Sequence, residues 1–380
     1  MTSVLVTLLL SVGAFGFLGL SVLCPFLAMV GYYFQRRTFG KRELSDAHAS
    51  GYPARLDILI PAFNEADSIG ATLTSIQRSI QHLRSRPSTP PGPNIFIRVD
   101  ADGCTDQTAQ VARQFPSVSV SESAVNQSKW ATLKNLIAGS TSDWVVLVDA
   151  GTLWPETWLT ELVERIGRDR TAIAMAPSYR PLQASRLHCL VWQVEKTLKS
   201  LETLSGGPVS LHGATVAYKT SLLKDALVHL GDTQWLNDDV VIPLTLRSLC
   251  PEGIILYPVG QVQDAGVKHD RPDLGRRKRM LLGNLQWVRS LLWDCCRRNP
   301  VAGVIACRRL FRVFWAYWVA GIALALILTF HVLLLPGLAG LMVLMIWSSS
   351  VRQLGGAALV SLSTPLFMMR PNKPFSGAWR

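Results

Sequence analysis

The chain has 380 residues, of which 49% are hydrophobic and only 17% charged, and a formal net charge of +12. Such a length holds one large core or two domains, and an apolar excess gathered at the two ends indicates a soluble domain carrying membrane segments. The basic residues flank the hydrophobic stretches: Arg36, Arg37, Lys41 and Arg42 follow the first, and Arg297, Arg298, Arg308, Arg309 and Arg312 precede the second. That placement obeys the positive-inside rule and suits anionic headgroups, so a membrane and not nucleic acid is the expected partner. The seven cysteines include no CxxC pair, and adjacent Cys295 and Cys296 cannot form a compact bridge, so they read as reduced thiols in a cytosolic domain.

Residues 4–34 are nearly uncharged, with Tyr32 and Tyr33 at the basic end, and the start Met1-Thr2-Ser3 lacks the basic opening of a cleaved signal. An uncleaved membrane anchor over residues 1–34 and a basic cytosolic linker over 35–54 are therefore expected. Residues 56–60 read as a buried strand ended by Pro61, and residues 68–83 as a helix with Ile69, Leu73, Ile76, Ile80 and Leu83 on one face. A Pro/Ser-rich loop at 84–93 leads to a strand at 94–99 and a helix at 105–115. Short strands at 118–120 and 144–148 enclose a helix at 129–137. A helical pattern between 184 and 204, carrying Trp192, Glu195, Leu198 and Leu201, is expected to lie along the membrane. Trp287 and Trp293 are read as bilayer-surface residues, and Trp315, Tyr317 and Trp318 as an interfacial belt. Pro336-Gly337 breaks the last long apolar block into a transmembrane hairpin over 313–350, after a basic interfacial segment at 291–312. Residues 351–380 hold either a short span or an interfacial helix, then a tail.

Strands alternating with helices imply a mostly parallel sheet over residues 55–290, with ligands beyond the carboxyl ends of the strands. Four turns at such places carry the chemistry: Ile60-Pro61-Ala62-Phe63-Asn64-Glu65, Ala101-Asp102-Gly103-Cys104-Thr105-Asp106, Val148-Asp149-Ala150-Gly151, and Trp235-Leu236-Asn237-Asp238-Asp239. Each has a local alternative. Asp106 reads first as a helix cap and Glu65 as a support for its own loop. Asp238 and Asp239 suit the positive end of a helix, and Lys129 a solvated helix start. His212 reads as a hydrogen-bonded loop histidine in preference to a metal ligand.

The order and spacing of these turns resemble the family-2 glycosyltransferases of the GT-A fold, especially membrane-bound bacterial members. Those have an I-P-A-Y-N-E-like first turn, an A-D-N/G-C-T-D-like second turn, an acidic metal turn and a later E-D pair. The likeness covers about residues 56–286; Asn126-Gln127-Ser128-Lys129 resembles the family's N-x-G-K, and Gly213-Ala214-Thr215 its glycine-led acceptor-side strand. What the resemblance implies is inverting transfer from a nucleotide sugar, a UDP-sugar first among donors, with Asp239 as general base beside Asp238. It also implies Asp102 at the nucleobase, Asp149 as ligand of Mg²⁺ or Mn²⁺, and Pro61, Asn64, Glu65, Lys129, Arg276 and Arg279 around the donor.

Two departures from the family pattern stand out. The metal turn, commonly D-x-D, is Asp149-Ala150-Gly151, so a second carboxylate is missing. The Q-x-x-R-W of polymerising members is replaced by Arg276-Arg277-Lys278-Arg279-Met280, a basic run that suits a phosphate clamp or a membrane-surface patch equally. The expectation is thus a GT-A-type α/β domain, mixed and mostly parallel, with transmembrane helices at both ends, in a bacterial inner membrane with the catalytic domain cytosolic. Its acceptor is expected to be lipid-linked or polysaccharide. The rival readings are a catalytically weak partner of a polysaccharide assembly and a sugar transferase to polyprenyl phosphate.

Overall fold

The computed structural model describes residues 26–28, 30–33, 51–86, 92–180, 186–264, 274–313 and 317. Most of the anchor expected at 1–34, the linker at 35–54 but for its last four residues, the hairpin at 313–350 but for Val313 and Tyr317, and the segment at 351–380 lie outside them, as do Trp315 and Trp318. Among the described residues no helix is long and apolar enough to cross a membrane.

The first half of the domain alternates strands and helices: β1 (Arg55–Ala62), α1 (Ala66–Ser85), β2 (Asn94–Asp102), α2 (Thr108–Arg113), β3 (Val118–Ser123), α3 (Lys129–Ala138) and β4 (Trp144–Val148). After it come β5 (Thr152–Leu153), α4 (Trp158–Arg168), β6 (Ala172–Met175), β7 (Ser178–Arg180), α5 (Arg186–Thr203), β8 (Thr215–Lys219), α6 (Thr220–Leu230) and α7 (Asp238–Leu249). The chain continues through β9 (Ile254–Leu256), β10 (Gln261–Asp264), α8 (Leu274–Ser290), α9 (Leu292–Arg298) and α10 (Pro300–Val313).

Seven strands form one sheet in the order β3-β2-β1-β4-β8-β6-β9, and β5-β10-β7 form a second. The large sheet is parallel from β3 to β4, and β8 alone runs against both of its neighbours. The expected mixed, mostly parallel α/β sheet is present.

Alternation along the strands sorts the core into two layers. Leu56, Ile58 and Ile60 of β1 face α1 and α4, meeting the predicted stripe Ile69, Leu73, Ile76, Ile80 and Leu83. Leu59 and the β4 residues Val145 and Leu147 face the opposite layer, built on α3, α6 and α7. Burying such a set is the main drive for folding, at roughly 25 cal/mol per Å² of apolar surface.

Several boundaries differ from expectation. Pro61 does not end β1: pairing with β2 runs on to Ala62, while the β4 ladder stops at Leu59. Beyond Leu59 the strand is paired on one side only, where a proline is tolerated. The second helix is shorter than 105–115, because the Asp106 carboxylate accepts from the Thr108 and Ala66 amides and holds residues before Thr108 in a turn. Packing also continues past residue 290. Cys295, Val301, Ala302, Ile305 and Ala306, in and beside the segment read as interfacial, are buried in the same layer as Ala28 and Tyr32. Trp287 is not at a surface: it is fully buried and its indole donates to Asn284 Oδ1 at 3.0 Å, whereas Trp293 is exposed. On α5, Val194 and Leu201 are exposed while Lys199 and Glu202 are buried. The six described cysteines are unbridged.

Candidate active site

The turns after β1 and β2 lock onto each other. Asn64, at φ 55°, accepts from the Thr105 amide at 2.8 Å, and the Glu65 amide donates to Thr108 Oγ1 at 2.8 Å. Ser68 Oγ donates to Glu65 Oε2 at 2.7 Å, the local support expected of that carboxylate. Pro61 lies in register with Asp100 just before this junction.

Asp102 ends β2 and is 1% exposed. Its Oδ1 accepts from the Gln127 amide at 2.8 Å and its Oδ2 from the Ser128 amide at 3.0 Å. The loop comes this close because Gly103, at φ 63°, has no side chain: a Cβ there would stand 2.2 Å from the Asn126 nitrogen. These bonds pin the turn preceding Lys129, whose helix Ser128 caps through the Ala131 amide.

Lys129 is not a solvated helix-start residue. Its Nζ lies 2.8 Å from Asp149 Oδ1 and 3.2 Å from Asp238 Oδ2. Burial works against its charge, but the two carboxylates outweigh burial and hold the ammonium charged well above the ordinary lysine range. Asp238 and Asp239 do stand in the first turn of α7, after Asn237, which makes no side-chain cap bond, and the Asp238 carboxylate turns to Lys129.

The antiparallel course of β8 completes the site. Val148 pairs with Thr215, so the amino end of β8 lies beside the carboxyl end of β4, and the Asp149 amide donates to the Ala214 carbonyl at 3.0 Å. Gly213 therefore sits among the charged groups: a Cβ on it would be 3.3 Å from Asp149 Oδ2 and 3.8 Å from both Asp239 Cβ and Lys129 Nζ. Asp239 is tied to the same segment by the Leu211 amide, which donates to its carbonyl at 2.9 Å. Burial raises the Asp239 carboxyl above its ordinary value; Arg309 pulls it down, Asp238 pushes it up, and Lys129 and Lys199 oppose the rise. His212 accepts the Ala214 amide on Nδ1 at 3.2 Å and stacks on Tyr179 at 3.8 Å, as expected of a hydrogen-bonded loop histidine.

The structure thus joins Lys129, Asp149, Asp238 and Asp239 around Gly213 and places Pro61, Asn64, Glu65 and Asp102 in the turns supporting them. Arg276 and Arg279 are on α8, where the side chain of Arg276 lies outside the described residues; the Met280 carbonyl beside Arg279 accepts from Asn237 at 3.0 Å. Among the described residues no three His, Cys, Asp or Glu side chains are grouped to hold a metal. Asp149, whose side chain is 40% exposed, still suits magnesium or manganese, which are held by one or two carboxylates completed by phosphate oxygens and water.

Sequence reasoning missed three contributors. Arg308 and Arg309, expected in a basic interfacial flank beside anionic headgroups, turn into the domain: Arg308 pairs with buried Glu202 and Arg309 donates to Ser210 Oγ. Their spacing held the signal: Val301, Ile305 and Arg308 share one helical face, as do Ala302, Ile305 and Arg309, and all three apolar members are buried. Asp100, two residues before Asp102 and on the same face of β2, has a buried Oδ1 with no hydrogen-bond partner among the described residues. Burial raises its carboxyl above the usual value, against a hydrogen bond from Ser121.

Residues 57–216 match the family described as Glycosyl transferase family 2. Among solved structures the chain is similar to mannosyltransferase PcManGT from Pyrobaculum calidifontis in complex with GDP-Man and Mn²⁺, with a TM-score of 0.67 and 17% identity over 98% of this chain and 100% of that one. It is also similar to S. aureus TarS 1-349, with a TM-score of 0.47 and 13% identity over 85% of this chain and 95% of that one. Glucosyl-3-phosphoglycerate synthase from Mycobacterium tuberculosis, in complex with Mn²⁺, UDP-Glc and phosphoglyceric acid, gives a TM-score of 0.42 and 18% identity over 66% of this chain and 82% of that one. No curated protein matches the chain. At 17% identity the first likeness speaks for the fold. The family match ends before Asp238, Asp239 and Arg309, whose places come from the structure alone. The match to family 2 glycosyltransferases over residues 57–216 falls on a GT-A-like sheet, and the chain is a glycosyltransferase.

Proposed function

We propose that the protein transfers a sugar from a nucleotide sugar to an acceptor hydroxyl with inversion at the anomeric carbon. The observation carrying this reading is the meeting of Lys129, Asp149, Asp238 and Asp239 around Gly213, at the sheet edge where ligands of open α/β folds bind. The acceptor oxygen forms a bond to the anomeric carbon as the bond to the diphosphate breaks. Asp239 takes the acceptor's proton, a task suited to a carboxyl raised by burial. The Lys129 ammonium is placed to steady negative charge on the departing diphosphate. Asp149 is the residue that would hold Mg²⁺ or Mn²⁺, whose chemistry is to neutralise phosphate oxygens. Asp102 shapes the nucleobase side by holding residues 127 and 128, and its remaining lone pairs are the acceptors there for a base N–H.

The acceptor is proposed to be lipid-linked or polysaccharide, with the protein held in a bacterial inner membrane and its domain in the cytosol. The long uncharged run at residues 4–25 and the apolar run after α10 support this; Tyr32 and Val301, themselves buried in the core, stand on the domain side of each in the sequence. A phosphorylated lipid acceptor is the second reading, in which the acceptor is already ionised and Asp239 matters less.

A thermal-shift panel of UDP, GDP and other nucleoside diphosphates, with and without Mn²⁺, tests the donor class, because ligand stabilisation grows with concentration over Kd. UDP is expected to stabilise most; a GDP preference would reassign the donor, and a flat response would overturn the reading. Transfer lost in Asp239→Asn supports a hydroxyl acceptor, whereas transfer retained moves the ionised phosphate acceptor ahead. Failure of wild type to turn over any donor would return the weak-partner reading.

A further inference from the structure

We infer that Lys129 is an internal counterion that keeps Asp149 from taking a divalent cation until a diphosphate draws the ammonium away. The inference deepens the nucleotide-sugar reading and rests on it. Lys129 Nζ bridges Asp149 Oδ1 at 2.8 Å and Asp238 Oδ2 at 3.2 Å, joining α3, the turn after β4 and the start of α7. The three side chains are 25%, 40% and 19% exposed, so water screens the pairs less than it would on an open surface.

Charge and geometry make the ammonium and a metal competitors. Like charges repel, and a divalent ion beside the ammonium meets twice the repulsion of a monovalent one. The backbone leading to Lys129 is pinned by the bonds from Gln127 and Ser128 to Asp102, so the side chain is the part that must move. The turn itself holds only one carboxylate, because Ala150 and Gly151 follow Asp149, and the neighbouring Asp238 carboxylate is engaged by the same ammonium. A diphosphate supplies both missing pieces: negative charge to attract the ammonium, and oxygens to fill the metal's coordination. Metal and diphosphate are then expected to bind together, with weak metal binding to the donor-free protein.

The test is a Mn²⁺ titration of the full chain, followed by the electron paramagnetic resonance signal of free Mn²⁺, for wild type, Lys129→Met and Lys129→Arg, with and without UDP or GDP. Wild type and Lys129→Arg are expected to bind Mn²⁺ alone at least tenfold more weakly than Lys129→Met, and the nucleoside diphosphate should close that gap. Equal Mn²⁺ affinity of wild type and Lys129→Met without nucleotide would overturn the inference. So would wild type binding Mn²⁺ alone as tightly as it does with nucleotide, a comparison that needs no variant and stands even if Lys129→Met does not fold. If wild type is stabilised by no nucleoside diphosphate under any condition, the functional reading itself falls. If it is stabilised but Lys129→Met gains no Mn²⁺ affinity, only the role given to Lys129 falls.

Discussion

The Arg308 guanidinium lies against the Glu202 carboxylate, Nε to Oε1 at 2.9 Å, and so ties α10 to α5 across 106 residues of sequence. Glu202 is 4% exposed, and burial raises its carboxyl despite the pull of Arg308. Breaking a buried pair by removing one member is costly, because a buried charge loses its partner. Arg308→Met is expected to lower stability by roughly 3 kcal/mol. Arg308→Met combined with Glu202→Gln should lose less than the sum of the single changes, because no charge is then stranded. Urea unfolding of the four proteins measures both; additive losses would show that the pair is not coupled.

Asp239→Asn separates catalysis from stability. Removing a general base typically costs 10²–10⁴-fold, and a loss in about that range is expected for transfer to a hydroxyl. The stability change has the opposite sense. A carboxyl raised in the folded state binds protons more readily there than in the unfolded chain, so its contribution is best at low pH and declines as pH rises through the folded value. At neutral pH the ionised group is a burden, and Asp239→Asn should melt higher than wild type. A lower melting temperature would contradict the burial argument.

Arg309 favours the ionised form of Asp239, so Arg309→Met should raise the Asp239 carboxyl further. The acidic limb of the pH–rate profile is expected to move to higher pH, with Arg309→Lys restoring most of the shift. Asp238 on its own helix, Lys129 on α3, Lys199 on α5, Tyr218 on β8 and Asp149 across Gly213 also surround Asp239, and none of them changes in this comparison. A uniform fall in rate with an unmoved limb would assign Arg309 to packing alone.

Asp102→Asn replaces an oxygen that accepts a backbone amide by a donor group. One of the Gln127 and Ser128 amides would lose its partner, at a cost of about 1–3 kcal/mol. Nucleotide-dependent stabilisation in the thermal panel should shrink with it, since the same turn places Lys129. Wild-type melting with wild-type nucleotide response would show that Asp102 does not hold the loop.

The parallel half of the domain was legible because its signals are local. The stripe Ile69, Leu73, Ile76, Ile80 and Leu83 repeats at helical spacing and is buried as a unit in α1. The run Trp144 to Val148 became the fully buried β4, and the acidic turns followed β2 and β4 as expected. What periodicity cannot carry is which remote residue an amide or charge will meet. Asp102 spends its oxygens on Gln127 and Ser128, and Lys129 pairs with Asp238 more than a hundred positions onward, neither of which has a spacing signature. The basic residues of α10 show a related limit: helical spacing puts Arg308 and Arg309 on faces shared with apolar residues, but that they meet Glu202 and Ser210 is decided by packing alone.

By itself the sequence determined the alternating strands and helices, the two-faced burial of β1 and β4, and the glycine-bearing turns at their carboxyl ends, because hydrophobic period and turn chemistry act within a few residues. Tertiary structure decided that β8 runs antiparallel, which brings Gly213 beside Asp149 and the start of α7 beside Lys129. It also decided that α10 closes on α5 and α7, placing Arg309 where it acts on Asp239. The reason is physical: strand direction and ion-pair partners are chosen by burial and charge summed over the whole core, where residues distant in sequence compete for the same few ångströms.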